Sequence, residues 1–169
     1  MNKPFVAVLM GSDSDLPVMQ ATLDTLDQLD VPWEVKITSA HRTPDATHAY
    51  VRDADSRGCV VFIAAAGLAA HLAGTVAGLT LKPVIGVPME AGPLRGEDSL
   101  LSTVQMPTGI PVACVAIGKV GAKNAAYLAA QIMALSGANI SDRLTEDRER
   151  NASTVQAKDQ DLQERMKNR

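Results

Sequence analysis

Phe5-Val6-Ala7-Val8-Leu9-Met10 leads directly into Gly11-Ser12-Asp13-Ser14-Asp15 and then Leu16-Pro17, and the reading of this junction decides the fold. An apolar run of strand length that stops at a glycine and short polar residues, before a proline-initiated helix, is how a parallel α/β sheet opens. Leu16, Met19, Leu23 and Leu26 recur at spacings of three and four, which predicts an amphipathic helix with those residues in the core, fading near Asp30 and Pro32. The turn itself offers unpaired backbone N–H groups, a positive helix-dipole end and the hydroxyls of Ser12 and Ser14, all suited to a phosphate or carboxylate. Asp13 and Asp15 repel phosphate but accept from sugar hydroxyls, so the mixture points to a phosphorylated sugar. The competing reading is purely local, a well-capped turn.

Working outward, Trp33 to Thr38 alternates apolar and polar residues as a second strand and ends at Ser39-Ala40-His41-Arg42-Thr43-Pro44. Thr43 is placed to cap a helix with Pro44 at its first position, running to Arg57-Gly58. His48, on that helix, reads as a surface or half-buried residue without a chemical task. Cys59 to Ala64 has no alternation and predicts a central strand buried on both faces. Ala65 to Gly74 is a glycine and alanine loop running into a helix, where small residues allow close helix packing or close approach of a ligand. Val84 to Val87 and Val112 to Ile117 give the fourth and fifth strands. The long connection from Met89 to Pro111, with a short helix near Ser99 to Val104, has the character of a functional loop. A last helix from about Ala122 to Leu135 presents Ala126, Leu128, Ala129, Ile132 and Met133 for packing, and Ser136-Gly137 ends it. The expected fold class is therefore α/β, a three-layer α/β/α, flavodoxin-like doubly wound parallel sheet, with ligands beyond the carboxyl ends of the strands. Residues 1–140 form a single catalytic domain in this reading. The polar segment 141–169 is a C-terminal helical arm or tail, with the arm laid on another subunit preferred.

A chain of 169 residues with 46% apolar side chains suits one domain with a full core. Its net charge of −3 carries no electrostatic footprint for nucleic acid, and no apolar stretch is long enough to span a membrane. The start Met1-Asn2-Lys3-Pro4 does not resemble a signal peptide, so a cytoplasmic location is expected. Cys59 and Cys114 lie in or beside apolar runs and read as buried thiols, in preference to a disulfide or metal pair. Dinucleotide, P-loop and zinc motifs are absent, so no metal and no cofactor is expected. Strand three ends in Ala64-Ala65-Ala66 without an aspartate, which argues against a phospho-acceptor receiver domain.

The loops after strands one, two and three all fall on one sheet edge and should converge. Among their residues His41 is the candidate proton carrier, since imidazole exchanges protons at neutral pH; the alternative is a histidine that only caps or bonds backbone. Arg42 suits bidentate contact with phosphate, against a surface ion pair. His71 supports a ligand carboxylate or satisfies backbone groups, and the first is favoured.

Taken together, Gly11-Ser12-Asp13-Ser14-Asp15, Ser39-Ala40-His41-Arg42-Thr43-Pro44, Ala69-Ala70-His71-Leu72, Asp98-Ser99-Leu100-Leu101-Ser102, Val104-Gln105-Met106-Pro107, Gly109-Ile110-Pro111 and Ala116-Ile117-Gly118-Lys119 closely resemble the N5-carboxyaminoimidazole ribonucleotide mutase family of de novo purine synthesis. The resemblance covers roughly residues 5 to 140. Leu68 stands where that family usually has a second glycine, Ala73 where it usually has proline, and Met89 to Gly96 is less typical. The resemblance implies a ribonucleotide substrate, with Ser12, Ser14 and Arg42 at its phosphate and Asp15 at a ribose hydroxyl. It further implies His41 as the catalytic residue, Ala40, Gly67 and His71 lining the site of the migrating carboxylate, and a homo-octamer with sites shared between subunits. Two rivals stand beside it. One is direct carboxylation of aminoimidazole ribonucleotide on the same fold. The other is a non-catalytic flavin or nucleotide-binding module.

Overall fold

The computed structural model describes residues 3–167. Strand β1 is Phe5–Met10, β2 Trp33–Ile37, β3 Cys59–Ala66, β4 Val84–Pro88 and β5 Ala113–Cys114. They form one parallel sheet in the order β2-β1-β3-β4-β5. This is the flavodoxin-like doubly wound order, with its reversal point between β1 and β3. The helices are α1 Leu16–Gln28, α2 Pro44–Arg57, α3 Leu72–Ala77, α4 Glu97–Val104, α5 Gly118–Ala134 and α6 Ala138–Lys167, and a single 3-10 turn, Asp13–Asp15, precedes α1.

Alternation along β1 builds the three layers. Val6, Val8 and Met10 face a core shared with Met19, Leu23 and Leu26 of α1 and with Ala122, Ala125, Ala126, Ala129, Ala130 and Met133 of α5. Phe5, Ala7 and Leu9 point to the opposite face and meet Val51 and Ala54 of α2 and Leu72, Ala73 and Val76 of α3. All six β1 residues are therefore buried, as expected of a strand covered on both sides. The alanines of α5 let that helix lie close on α1, where the Thr22 hydroxyl donates to the Ala122 carbonyl at 2.7 Å.

Several expectations are corrected. Leu16 is 39% exposed, because it occupies the first position of α1 at the open strand-end edge, ahead of the buried turns of that helix. The apolar positions Val35 and Ile37 of β2 are 42% and 52% exposed, since β2 is an edge strand paired only with β1. Thr43 occupies the cap position of α2 without a side-chain cap; its hydroxyl instead accepts from the Ser39 N–H at 2.9 Å and donates to the Ser39 carbonyl at 3.2 Å. β3 extends two residues further, to Ala66, because its pairing with β4 continues to Pro88. β5 contracts to Ala113–Cys114 at the opposite edge, and α5 begins earlier, at Gly118. Both cysteines are free, Cys59 buried and Cys114 half-buried. Burial pushes the Cys59 thiol up to about 12. No helix among the described residues is long and apolar enough to cross a membrane.

Helix α6 starts before residue 141 and is tied to the body by Asp147, 4% exposed. Its carboxylate accepts from Gln28 Nε2, from the Tyr127 hydroxyl at 2.7 Å, from Arg150 at 3.2 Å and from Asn151 at 2.9 Å. Burial pushes this carboxyl up, but hydrogen bonds from Tyr127 and Arg150 and the charges of Arg150 and Lys123 outweigh it and hold the group below the ordinary carboxylate value. Asp147→Asn is expected to cost about 1–3 kcal/mol in urea unfolding at pH 7, because an amide NH2 at this buried position then faces donors where a carboxylate oxygen accepted. A carboxyl held low in the folded chain stabilises above its unfolded value of 3.8 and loses that contribution as pH falls through the folded value. The gap between native chain and variant should therefore close below about pH 3.8; a pH-independent gap would show that the charge is not its source.

Candidate active site at the carboxyl ends of the strands

The loop after β1 is a closed knot. Ser12 caps the 3-10 turn, its hydroxyl oxygen accepting from the Ser14 N–H at 3.2 Å and the Ser14 hydroxyl at 2.9 Å, while its own hydroxyl donates to Asp13 at 3.1 Å. Asp15 returns the favour by accepting from the Ser12 N–H at 3.2 Å, completing a capping box. Half-burial, with the nearby Asp13 charge adding, pushes the Asp15 carboxyl up against the opposing pull of that N–H. Gly11 N–H donates to the Ala65 carbonyl at 3.0 Å, so this loop is stitched to the end of β3.

The loop after β2 is organised by Ser39, which sequence reasoning passed over. The Ser39 carbonyl accepts from the Thr43 N–H at 3.0 Å and from the hydroxyls of Thr43 and Thr47, and the Ser39 hydroxyl accepts from the Arg42 N–H at 3.1 Å. Thr38, buried, adds a 2.7 Å bond to Thr47. Serine and threonine at 38, 39, 43 and 47 were visible as a signal of local side-chain to backbone bonding. The result is a rigid loop that holds His41 and Arg42 outward. Both are exposed, and Arg42 makes no ion pair among the described residues. Ala40 is half-buried against the core between the sheet, α2 and α3.

The loop after β3 meets the loop after β2 through two imidazoles. His41 Nε2 lies 2.8 Å from His71 Nδ1, and the rings are edge to face with centroids 4.9 Å apart and an interplanar angle of 82°. One nitrogen donates and the other accepts. His71 occupies the cap position of α3 without a side-chain cap bond, leaving its ring free for this contact. Gly67 is packed against the loop after β4, where an added Cβ would stand 2.8 Å from Ala91 Cβ and 3.5 Å from Met89 Cβ. The chain stretch 89–92 thus enters the site region, a contact that spacing could not reveal. Met106 Sδ covers Gly74 of α3, 3.2 Å from where a Cβ would be. Ser12, Ser14 and Asp15 share one turn, and His41 and His71 touch directly. Direct contact of Arg42 or of the Ser12–Asp15 turn with the imidazoles is not among the bonds the structure makes.

Fold and site together define a doubly wound α/β protein whose strand-end edge carries a hydroxyl-rich turn, an outward arginine and a histidine pair, the equipment of an enzyme acting on an anionic small molecule. A family model described as AIR carboxylase matches residues 5–154, and the chain belongs to that family. The match includes the first half of α6 and so extends beyond the 5–140 expected above. N5-carboxyaminoimidazole ribonucleotide mutase of Pyrococcus abyssi is 53% identical over 146 residues, 86% of this chain and 83% of the relative. The enzyme of the same description from Bacillus subtilis is 51% identical over 153 residues, 90% of this chain and 94% of the relative. The crystal structure of Treponema denticola PurE superposes with a TM-score of 0.86 at 30% identity, covering 95% of this chain and 99% of that one.

Proposed function

We propose that the chain is a mutase that converts N5-carboxyaminoimidazole ribonucleotide to 4-carboxy-5-aminoimidazole ribonucleotide in de novo purine synthesis. The observation that carries this reading is the 2.8 Å contact between His41 and His71 at the strand-end edge. With Nε2 of His41 engaged by its neighbour, Nδ1 is the nitrogen left to meet a substrate. The contact with His71 fixes the orientation of the His41 ring, whichever of the two facing nitrogens donates.

The chemistry needs one proton carrier and no redox partner. Protonation of the exocyclic nitrogen of the carbamate breaks the N–C bond, the electron pair stays on nitrogen, and carbon dioxide is released beside an electron-rich ring. C4 attacks the carbon dioxide, the new C–C bond forms, and the C4 proton returns to the base that began the cycle. Atoms and charge balance, so the overall reaction is an isomerisation. Holding carbon dioxide against the same ring replaces the entropy of a free encounter. His41 is the proton carrier in this reading. Ser12, Ser14 and Arg42 take the phosphate, Asp15 a ribose hydroxyl, and Ala40, Gly67 and His71 line the carboxylate site.

Exposure of His41, Arg42 and His71 in the single chain supports a site completed by neighbouring subunits. Residues 1–140 are the catalytic domain, 141–169 an arm that reaches another subunit, and the assembly is an octamer in the cytoplasm. The mutase is favoured over direct carboxylation because the mutase relatives share about half their residues with this chain across most of its length. The test supplies the carbamate substrate without bicarbonate and follows the C4-carboxylated ribonucleotide. Product is expected. Product only from aminoimidazole ribonucleotide at high carbon dioxide would assign the direct carboxylase, and no product either way would favour a binding module.

A further inference from the structure

Leu68 adopts a left-handed backbone, φ 57°, and is 52% exposed. Leucine in this region is strained, and partial burial returns little of that cost, so something must hold it there. Its neighbour across the site region is Gly92, itself at φ 65°. A Cβ at residue 92 would stand only 2.7 Å from Leu68 Cδ2, so the missing side chain of Gly92 is the space the leucine occupies. One residue earlier the same fit recurs with the sizes exchanged in position, Gly67 lying under Ala91. The turn after β3 and the loop after β4 therefore mesh as two consecutive small-against-large pairs, 67 with 91 and 68 with 92. The Met89 N–H, donating to the Ala66 carbonyl at 2.9 Å, fixes their register.

The loop after β4 is itself rigid. The buried Ser99 hydroxyl contacts the carbonyls of Met89 and Gly96, each at 2.9 Å, tying the two ends together. Two further left-handed residues, Arg95 at φ 51° and Gly96 at φ 90°, close its far side. On the other side of Leu68 the chain runs through Ala69, whose carbonyl accepts from the His71 N–H at 2.9 Å, to the imidazole that contacts His41. A fixed loop, a meshed leucine and the histidine pair are thus connected in sequence.

We propose that Leu68, seated on Gly92, is a positioning residue that holds the Gly67–His71 turn closed over the reacting carboxyl group and so limits escape of carbon dioxide between N–C cleavage and C–C formation. This rests on the mutase reading. The side chain contributes no atoms to the reaction; its effect is on the fate of carbon dioxide after the N–C bond has broken. Loosening the turn therefore leaves the first step intact and diverts its product to free carbon dioxide and aminoimidazole ribonucleotide.

The test is the partition of the carbamate substrate between the C4-carboxylated product and released aminoimidazole ribonucleotide, measured with a trap for free carbon dioxide and corrected for spontaneous decay. Leu68→Gly is expected to raise the released fraction several-fold over the native enzyme while its thermal midpoint stays the same or rises, because the backbone strain is removed. Leu68→Ala, which keeps a Cβ on the strained backbone but loses the cover over Gly92, should raise it as well. Gly92→Ala, which displaces the leucine, should do the same, and Leu68→Gly/Gly92→Ala should release no more than Leu68→Gly alone, because both changes remove the same contact. A merely structural leucine would lower stability and turnover together with the partition unmoved, and that result overturns the proposal. If Leu68→Gly does not fold, the partition of Leu68→Ala decides the question by the same criterion. Failure of the native enzyme to convert the carbamate at all would instead overturn the mutase reading.

Discussion

His41→Asn is expected to lower turnover by about 10²–10⁴-fold while ribonucleotide affinity stays within a few-fold of the native enzyme. Asparagine is close to histidine in reach and retains a donor and an acceptor, so a contact to His71 and the shape of the Ser39–Thr43 loop can both survive. What it cannot do is accept and return a proton. The loop that carries residue 41 is held by Ser39, Thr43 and Thr47, none of which bonds the imidazole, so the substitution should leave the main chain in place. Binding is expected to persist because Arg42 and the Ser12–Asp15 turn, the proposed phosphate and ribose contacts, make no hydrogen bond to His41 in the free chain. The measurement is direct titration of ribonucleotide onto the variant, beside single-turnover formation of the C4-carboxylated product. Near-normal turnover would remove His41 from the proton-carrying role. Loss of binding in proportion to turnover would make it a binding residue.

The parts of this molecule that were legible in advance are those whose cause is local. β1 and its turn were legible because burial on both faces writes an uninterrupted apolar run, and a capping turn writes serine and aspartate beside it. Convergence of the three loops followed from connectivity alone, since successive parallel strands deliver their carboxyl ends to one edge, and the contact of His41 with His71 is its consequence. What was hidden depends on which strand lies at an edge and on which loops touch. Leu16 and Ile37 carry the periodicity of core residues yet meet solvent, because α1 starts ahead of its buried turns and β2 has one neighbour. Thr43 has the chemistry of a cap, but the Ser39 backbone offers its hydroxyl both a donor and an acceptor. Gly67 reads as a loop glycine, and only the fold brings Ala91 against it. The departure at Leu68 likewise becomes intelligible through Gly92, twenty-four positions away in sequence and in contact in space.

The largest stability effect expected is at Gly121, in the first turns of α5, where Gly121→Ala should cost about 3 kcal/mol. Helix propensity alone predicts the opposite sign, since alanine is favoured over glycine by about 1 kcal/mol in a helix interior. Sterics decide the outcome. A Cβ at residue 121 would overlap the Ala116 carbonyl oxygen and lie 2.6 Å from its carbon, both backbone atoms that no rotamer change can move. Relief requires either the chain leaving β5 or the amino end of α5 to shift. Neither is loose. Val115 N–H is bonded to the Gly86 carbonyl at 3.1 Å, and Ala122, next in the helix, is fully buried with its carbonyl held by Thr22. A shift would therefore open the close contact that the alanines of α5 make with α1 and the sheet, where small side chains leave no slack to be retaken. Gly137→Ala supplies the contrast, because a Cβ there meets nothing within 4 Å and the backbone is not left-handed; its effect should stay within about 0.5 kcal/mol. Urea unfolding of both variants and the native chain at one protein concentration checks the pair. A neutral or stabilising Gly121→Ala would mean that α5 can slide on the sheet, and the close approach would then be a consequence of glycine at 121 and not the reason for it.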